Sequence, residues 1–147
     1  MNYYGSLTEA NDYFANKLYS DLWFDQDPDL RVKAMKDATL RLDRLNFIGV
    51  RTDSSQELQF PRNGSNDIPV NIKRAVFEIA FQLLDGRDPE IEYNLLRKQT
   101  IGVGPGRASN DTKLIPIHVA NGIPSLLAWS YIKPYLRDKS RLKLQRS

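Results

Sequence analysis

The chain contains no cysteine. Disulfides, thiolate nucleophiles and cysteine-ligated zinc are therefore excluded, which fits a reducing compartment. Histidine is nearly absent as well. His118 stands alone in the β-like run Ile117-His118-Val119, with no partner at readable spacing, so it reads as a structural residue rather than a metal ligand or general base. No apolar run approaches the roughly 20 residues that span a bilayer. The opening MNYYGSLTEAND lacks a basic n-region and an apolar h-region, so no signal peptide is expected. The glycine-rich GVGPGR (102–107) has no strand–helix context and no following Lys-Ser/Thr, so the phosphate-loop pattern fails. Its glycines suit a tightly turning arm, with Arg107 at the tip able to meet phosphate. Asp25, Asp27 and Asp29 are interrupted by Pro28 and lack the glycine and distal glutamate of a calcium loop. No repeat or low-complexity tract is present. These absences leave no catalytic constellation: no enzyme, metal or cofactor is expected.

What is present suits one domain with a real core, since 147 residues with 41% hydrophobic content are ordinary for a globular chain. The net charge of +3 is unevenly spread. Residues 133–147 carry +5, which leaves −2 on residues 1–132. A basic tail on a slightly acidic body seeks an acidic surface, a nucleic acid, or water.

Helical spacing recurs along the body. Thr8 is a candidate N-cap for a helix from about Glu9 to Ser20, with Ala10, Tyr13, Phe14 and Leu18 on one stripe. Trp23 and Phe24 follow as anchors. Asp27-Pro28 opens a second helix that keeps Leu30, Ala34, Ala38, Leu42 and Leu45 in register to about Leu45. A third helix starts at Pro69, with Asp67 as a candidate cap, and runs to a stop at Asp85-Gly86. Its Ile72, Val76, Ile79, Ala80 and Leu83 face one way, and Ala75, Phe77, Phe81 and Leu84 extend the apolar surface, which predicts a central position. Asp88-Pro89 can start a helical turn through Tyr93 to Leu96. Residues 97–118 then read as an extended or hairpin-like arm, with β character at Thr100-Ile101, Leu114-Ile115 and Ile117–Val119. A last helix is expected from Pro124 to about Leu136, with Leu127, Ala128, Tyr131, Ile132 and Tyr135 on its apolar face and Pro134 bending or shortening its end. Trp129 and Tyr131 read as core or interface residues before base-stacking platforms. The fold class is mainly α: a small bundle of about four helices with a long arm and an extended C-terminal tail. The core anchors are Phe14, Trp23, Leu42, Leu45, Val76, Ile79, Leu83 and Trp129.

The connection 46–67 contains LQFPRNG (58–64). Phe60 seeks burial, Pro61 fixes its own φ and holds Phe60 extended, and Arg62 offers a five-donor fork beside a turn at Asn63-Gly64. Two readings stand: a loop pinned by Phe60 with Arg62 solvated, or a docking loop whose arginine meets a partner. In the tail RLKLQRS, Leu142 and Leu144 share one edge of an extended segment, which suits strand addition to a partner's sheet. A solvated tail and a phosphate-binding tail remain the alternatives.

The order of motifs carries a resemblance. ANDYF, a tryptophan, KAMKDATLRLDRLNFIGVRTDSSQELQFPRNG, IPVNIKRAVFEIAFQLLDG and GIPSLLAWSYIKPYLR follow one another. The most specific positions are Ala38, Thr39, Leu42 to Leu45, Gly49, Gln56, Leu58, Phe60, Pro61 and Arg62. This set resembles tailed-bacteriophage head–tail adaptor (connector) proteins, including a group labelled DnaT-like single-stranded DNA-binding proteins. The similarity covers most of the chain and is weakest across 97–118.

The resemblance implies a homo-oligomeric ring, typically dodecameric, beneath the portal at the virion neck, assembled in the host cytoplasm. Residues 1–136 would be the adaptor domain and 137–147 its basic tail. Its partners would be the portal protein, a stopper or tail terminator on the tail side, and DNA passing through the channel without sequence-specific binding; no membrane is involved. Portal contact would fall to Arg137, Lys139, Arg141, Leu142, Lys143, Leu144 and Arg146. Subunit or partner contact would fall to Phe60, Pro61, Arg62 and Arg107. The label implies a second class, a binder of single-stranded DNA. Such binders usually combine a positive groove with stacking aromatics, against which the −2 body counts.

Overall fold

The computed structural model describes residues 1–92 and 115–137. The described chain is mainly helical. Helix α1 spans Leu7–Ala15, α2 Asp21–Asp25, α3 Pro28–Asp43, α4 Val70–Leu84, α5 Ile117–Ala120 and α6 Leu126–Ile132, with a 3-10 turn at Lys133–Tyr135. Residues 89–92 are also helical.

Helix α1 starts and stops earlier than the spacing predicts. Its N-cap is Ser6, not Thr8: the Ser6 Oγ accepts from the Glu9 amide at 3.2 Å and donates to the Glu9 carboxylate at 3.3 Å. The helix ends at Ala15 because the chain reverses through Tyr19, at φ +61, and Ser20 Oγ donates to the Phe14 and Lys17 carbonyls. Leu18, expected on the buried stripe, is 78% exposed in consequence. Trp23 is fully buried in α2 while Phe24 is exposed, so only one of the two anchors enters the core.

Helix α3 begins at Asp27-Pro28 as expected, with proline at a first-turn position where the missing amide costs nothing. Leu30 is exposed; Ala34, Ala38 and Leu42 are buried and Leu45 partly so. Helix α4 is central, packing against α1, α2, α3 and α6. It buries Ile72, Ala75, Val76, Phe77, Ile79 and Ala80, while Leu83 is partly buried. Its cap is Pro69 rather than Asp67, and the turn after it is closed by Gly86 at φ +80.

The arm prediction is overturned where the structure describes it. Ile117–Ala120 is a helical turn, not a strand. Pro116 presets its entry, and Asn121 closes it by donating to the Ile117 carbonyl at 2.8 Å. The rest of the predicted arm, 97–114 with Arg107, lies outside the described residues. Helix α6 is capped by Ser125, whose Oγ accepts from the Ala128 amide at 3.0 Å, and Pro134 falls in the 3-10 turn that shortens the helix. Ala128 and Ile132 are buried, Trp129, Tyr131 and Tyr135 partly buried, and Leu127 exposed.

Two ion pairs fasten the chain beyond α4 to α3. Arg41, 6% exposed, meets Asp88 through two hydrogen bonds of 2.8 and 3.0 Å, and Arg44 meets Glu90 at 2.8 Å. A second buried group, Glu78 on α4, accepts from Tyr13 at 2.6 Å and pairs with Lys17. Among the described residues no cluster of acids and histidine could hold a metal ion, and no helix is long and apolar enough to cross a membrane.

Candidate partner-binding loop

The loop 46–64 has little regular structure, yet nearly every turn of it is tied down by a side chain. Phe60 is buried among aromatic edges: ring centroids lie 4.8 Å from Phe47, 5.8 Å from Tyr135 and 6.0 Å from Tyr4, each close to perpendicular. Edge-to-face contacts of this kind add to the stabilisation from burial. The Phe60–Pro61 peptide bond is cis.

Polar groups fix the surrounding backbone. Tyr4, fully buried, donates to Asp43 Oδ1 at 2.5 Å while its hydroxyl oxygen accepts the Phe60 amide at 3.1 Å. Asp43 Oδ2 accepts the Gln59 amide at 3.2 Å. Burial raises the Asp43 pKa above its ordinary 3.8, against the lowering effect of the Tyr4 hydrogen bond. The Tyr4 phenol is pushed far upward by burial and by the neighbouring carboxylate. Gln56 donates to the Leu58 and Pro61 carbonyls at 2.7 and 2.9 Å. Asn63, at φ +58, exchanges hydrogen bonds with Val50: its amide donates to the Val50 carbonyl and its Oδ1 accepts the Val50 amide. Gly49 must be glycine here. It sits at φ +84, and a Cβ would lie 1.9 Å from Asn63 Oδ1.

Arg62 turns inward. Its Nε donates to the Ile48 carbonyl at 3.1 Å, Nη1 to the carbonyl and Oε1 of Gln59 at 3.2 and 2.9 Å, and Nη2 to the Gly49 carbonyl at 2.6 Å. The guanidinium also lies 6.0 Å from the centroids of both Phe47 and Phe60. The expectation of a solvated Arg62 is therefore corrected. Its donors bind this subunit's backbone, and contact with a partner would have to use what remains of its partly exposed surface.

Arg51 and Arg137 are exposed and stand close enough to Arg62 that, after burial, their charges depress its pKa. Arg51 pairs with Arg62 in an isolated antiparallel bridge. Arg137 is tied to the same loop: its amide donates to the Asn46 carbonyl at 3.1 Å and its Nε to the Phe47 carbonyl at 3.0 Å. Arg137, the last described residue, is thus anchored at this loop beside Arg51 and Arg62. Beside them Ile48 and Val50 are exposed, Val50 at 69%.

Of the sequence-predicted contacts, Phe60, Pro61, Arg62 and Arg137 come together here. Lys139, Arg141, Leu142, Lys143, Leu144, Arg146 and Arg107 lie outside the described residues. Sequence reasoning placed the turn at Asn63-Gly64 and Asp43 within a conspicuous motif, but gave neither of them, nor Tyr4 or Arg51, a role in this constellation. Asn63 at the Asn-Gly turn carried a local signal; the bonds from Asp43 to Gln59, 16 residues apart, and from Tyr4 to Phe60, 56 apart, carried none.

The family described as "Putative DnaT-like ssDNA binding protein" matches residues 1–103. No curated protein and no solved structure matches the chain.

Proposed function

The chain belongs to the DnaT-like family, and we propose for it a structural, non-enzymatic role: a head–tail adaptor subunit that assembles into a ring at the virion neck and joins the portal to the tail. The observation that supports this reading most is where large apolar side chains are exposed. Leu18 and Tyr19 stand out at the turn before α2, and Ile48 and Val50 stand out on the loop after α3. Single exposed apolar residues are ordinary, whereas grouped ones mark surfaces that proteins cover. The slightly acidic body suits a channel wall along which DNA slides without sticking.

A second reading is single-stranded DNA binding, favoured by the family's description and by the proximity of Arg51, Arg62 and Arg137 at the loop 46–64. Against it, most aromatics lie in the core or pack against it: Tyr4, Phe14, Trp23, Phe47, Phe60 and Phe77 are buried, and Tyr3, Tyr13, Phe81, Trp129, Tyr131 and Tyr135 are partly so. Sedimentation velocity and electron microscopy of the protein, alone and with its portal, separate the two when combined with oligonucleotide titrations at two salt concentrations. Ring or portal complexes with little salt-dependent affinity for single strands support the adaptor. A monomer that binds single strands with a steep salt dependence supports the binder.

A further inference from the structure

Two of the exposed apolar groups differ in the charge around them. Around Leu18, Tyr19, Phe24 and Leu30 the exposed ionisable residues of the chain from 18 to 30 are Asp21, Asp25, Asp27 and Asp29. Of the cations next to this segment, Lys17 is paired with Glu78 and Lys33 is exposed one turn beyond Asp29. Arg31 is turned inward, donating to the Phe24 and Gln26 carbonyls at 3.0 Å over the Trp23 and Phe24 rings, so among the described residues the aspartates outnumber the free cation. Around Ile48 and Val50 the exposed cations are Arg51 and Arg137, with Asp53 further along the loop, while the inward-turned Arg62 lies beside the part-buried Asp43. One patch is apolar and acidic, the other apolar and basic.

Helix α3 keeps them apart. The acidic patch lies at its N-terminal end and the basic loop follows its C-terminal end. Its 16 residues rise about 24 Å, so the patches of one subunit cannot meet each other. Tyr19 is 91% exposed at φ +61, a left-handed conformation that a tyrosine does not favour, held by the Ser20 hydroxyl bonds. The turn therefore projects an aromatic side chain rather than burying it.

We propose that the acidic turn of residues 18–30 docks on the Ile48–Val50–Arg51 loop of a second copy of this chain, head to tail. A contact between two different patches is heterologous, and repetition of a heterologous contact closes into a ring when its rotation permits. Apolar side chains supply the area, and the aspartates and arginines fix which faces meet. The inference rests on the ring reading and names the surfaces that build it.

The test uses the full chain in two variants, each altering only exposed side chains. One carries Asp25→Lys with Asp29→Lys; the other carries Val50→Glu with Arg51→Glu. Circular dichroism and melting curves confirm that both fold. Each variant alone should raise the concentration needed for half assembly by more than about tenfold, because like charges now face each other. An equimolar mixture should reassemble, since the reversed head fits the reversed loop and the native head fits the native loop. Rings formed by either variant alone as readily as by the parent, or a mixture no better than its components, overturn this interface while leaving the ring reading intact. A parent protein that stays monomeric both alone and with its portal overturns both.

Discussion

Helices α3 and α4 and the loop 46–64 are held in place by different means. The helices contribute Met35, Ala38 and Leu42, and Ile72, Val76 and Ile79, to one buried cluster whose contacts are apolar and non-directional. The loop has one buried aromatic, Phe60, and around it a set of directed bonds from Tyr4, Asp43, Gln56, Arg62 and Asn63 to specific backbone groups. A packed helix pair tolerates volume-conserving exchange, because hydrophobic residues of about the right size restore it. A loop wired by hydrogen bonds does not, because each lost partner leaves a half-buried polar group unsatisfied. The loop proposed for docking is thus also the part of the body with the least substitutable chemistry.

The strongest test of this contrast is Phe60→Ala, where the loop depends on apolar burial as the helices do. The lost ring contacts Tyr4, Phe47 and Tyr135, and the expected cost is about 3–5 kcal/mol. A chemical denaturation midpoint within about 1 kcal/mol of the parent would show that the loop stands without its aromatic anchor.

Next comes the ion pair that ties the chain beyond α4 to α3. Burial opposes the Arg41 charge, but hydrogen bonds and attraction from Asp88 more than compensate and hold its pKa high. Asp88 itself sits below its ordinary 3.8, since the Arg41 and Glu90 bonds outweigh its burial. Asp88→Ala leaves a buried guanidinium with Asp37 at 3.7 Å and the more distant Glu90 as its acids, and should cost about 3 kcal/mol near neutrality. Because the folded pKa is depressed, this stabilisation is present above pH 3.8 and is lost as pH falls through the folded value below it. Parent and variant stabilities should converge at low pH; a constant gap from neutrality to pH 3 would contradict the pairing.

The helical part of this comparison was legible in the sequence and most of the loop was not. The 3.6-residue spacing of Ile72, Val76 and Ile79 defines α4 locally, and Asp27-Pro28 marks the start of α3 by itself. The start of α1 was misplaced because Thr8 competes with Ser6 for the cap; the Ser6–Glu9 spacing was the deciding signal. Ile117-His118-Val119 looks β-like by propensity, but Pro116 before it and Asn121-Gly122 after it leave room for one helical turn. In the loop, the burial of Phe60 was legible from its type. The inward turn of Arg62 was not, because a guanidinium's choice between water, a partner and its own backbone depends on carbonyls placed by the fold.

Gly49→Ala probes the loop's backbone. A methyl group at φ +84, directed at Asn63 Oδ1, must displace the side chain that fixes Val50, at an expected cost of about 2 kcal/mol. The apolar helices should be unaffected, so hydrogen exchange should accelerate in 48–63 and stay unchanged in α4. Equal acceleration in both would mean that loop and helices open as one unit.

The smallest expected effect separates the loop's polar wiring from its packing. Tyr4→Phe keeps the ring against Phe60 and removes only the hydroxyl that donates to Asp43 and accepts the Phe60 amide. At pH 7 the loss should be about 1.5 kcal/mol, since a half-buried carboxylate and an amide both lose a partner. The pH dependence gives the sign of the mechanism. Asp43 already has a native pKa above 3.8, so the native state binds its proton more readily than the unfolded chain does. Its contribution to stability therefore falls as pH rises from 3.8 through the native value. The Tyr4 hydroxyl lowers that native value, and its removal raises it further, extending the destabilisation on the alkaline side. Protonation relieves the unpaired charge, so the Tyr4→Phe penalty should be smaller at pH 4 than at pH 7. A penalty that is equal at both, measured by urea midpoints, would place the hydroxyl's contribution in its bond to the Phe60 amide alone. A larger penalty at pH 4 would mean that the hydroxyl favours the protonated rather than the ionised Asp43, the opposite of the coupling argued here.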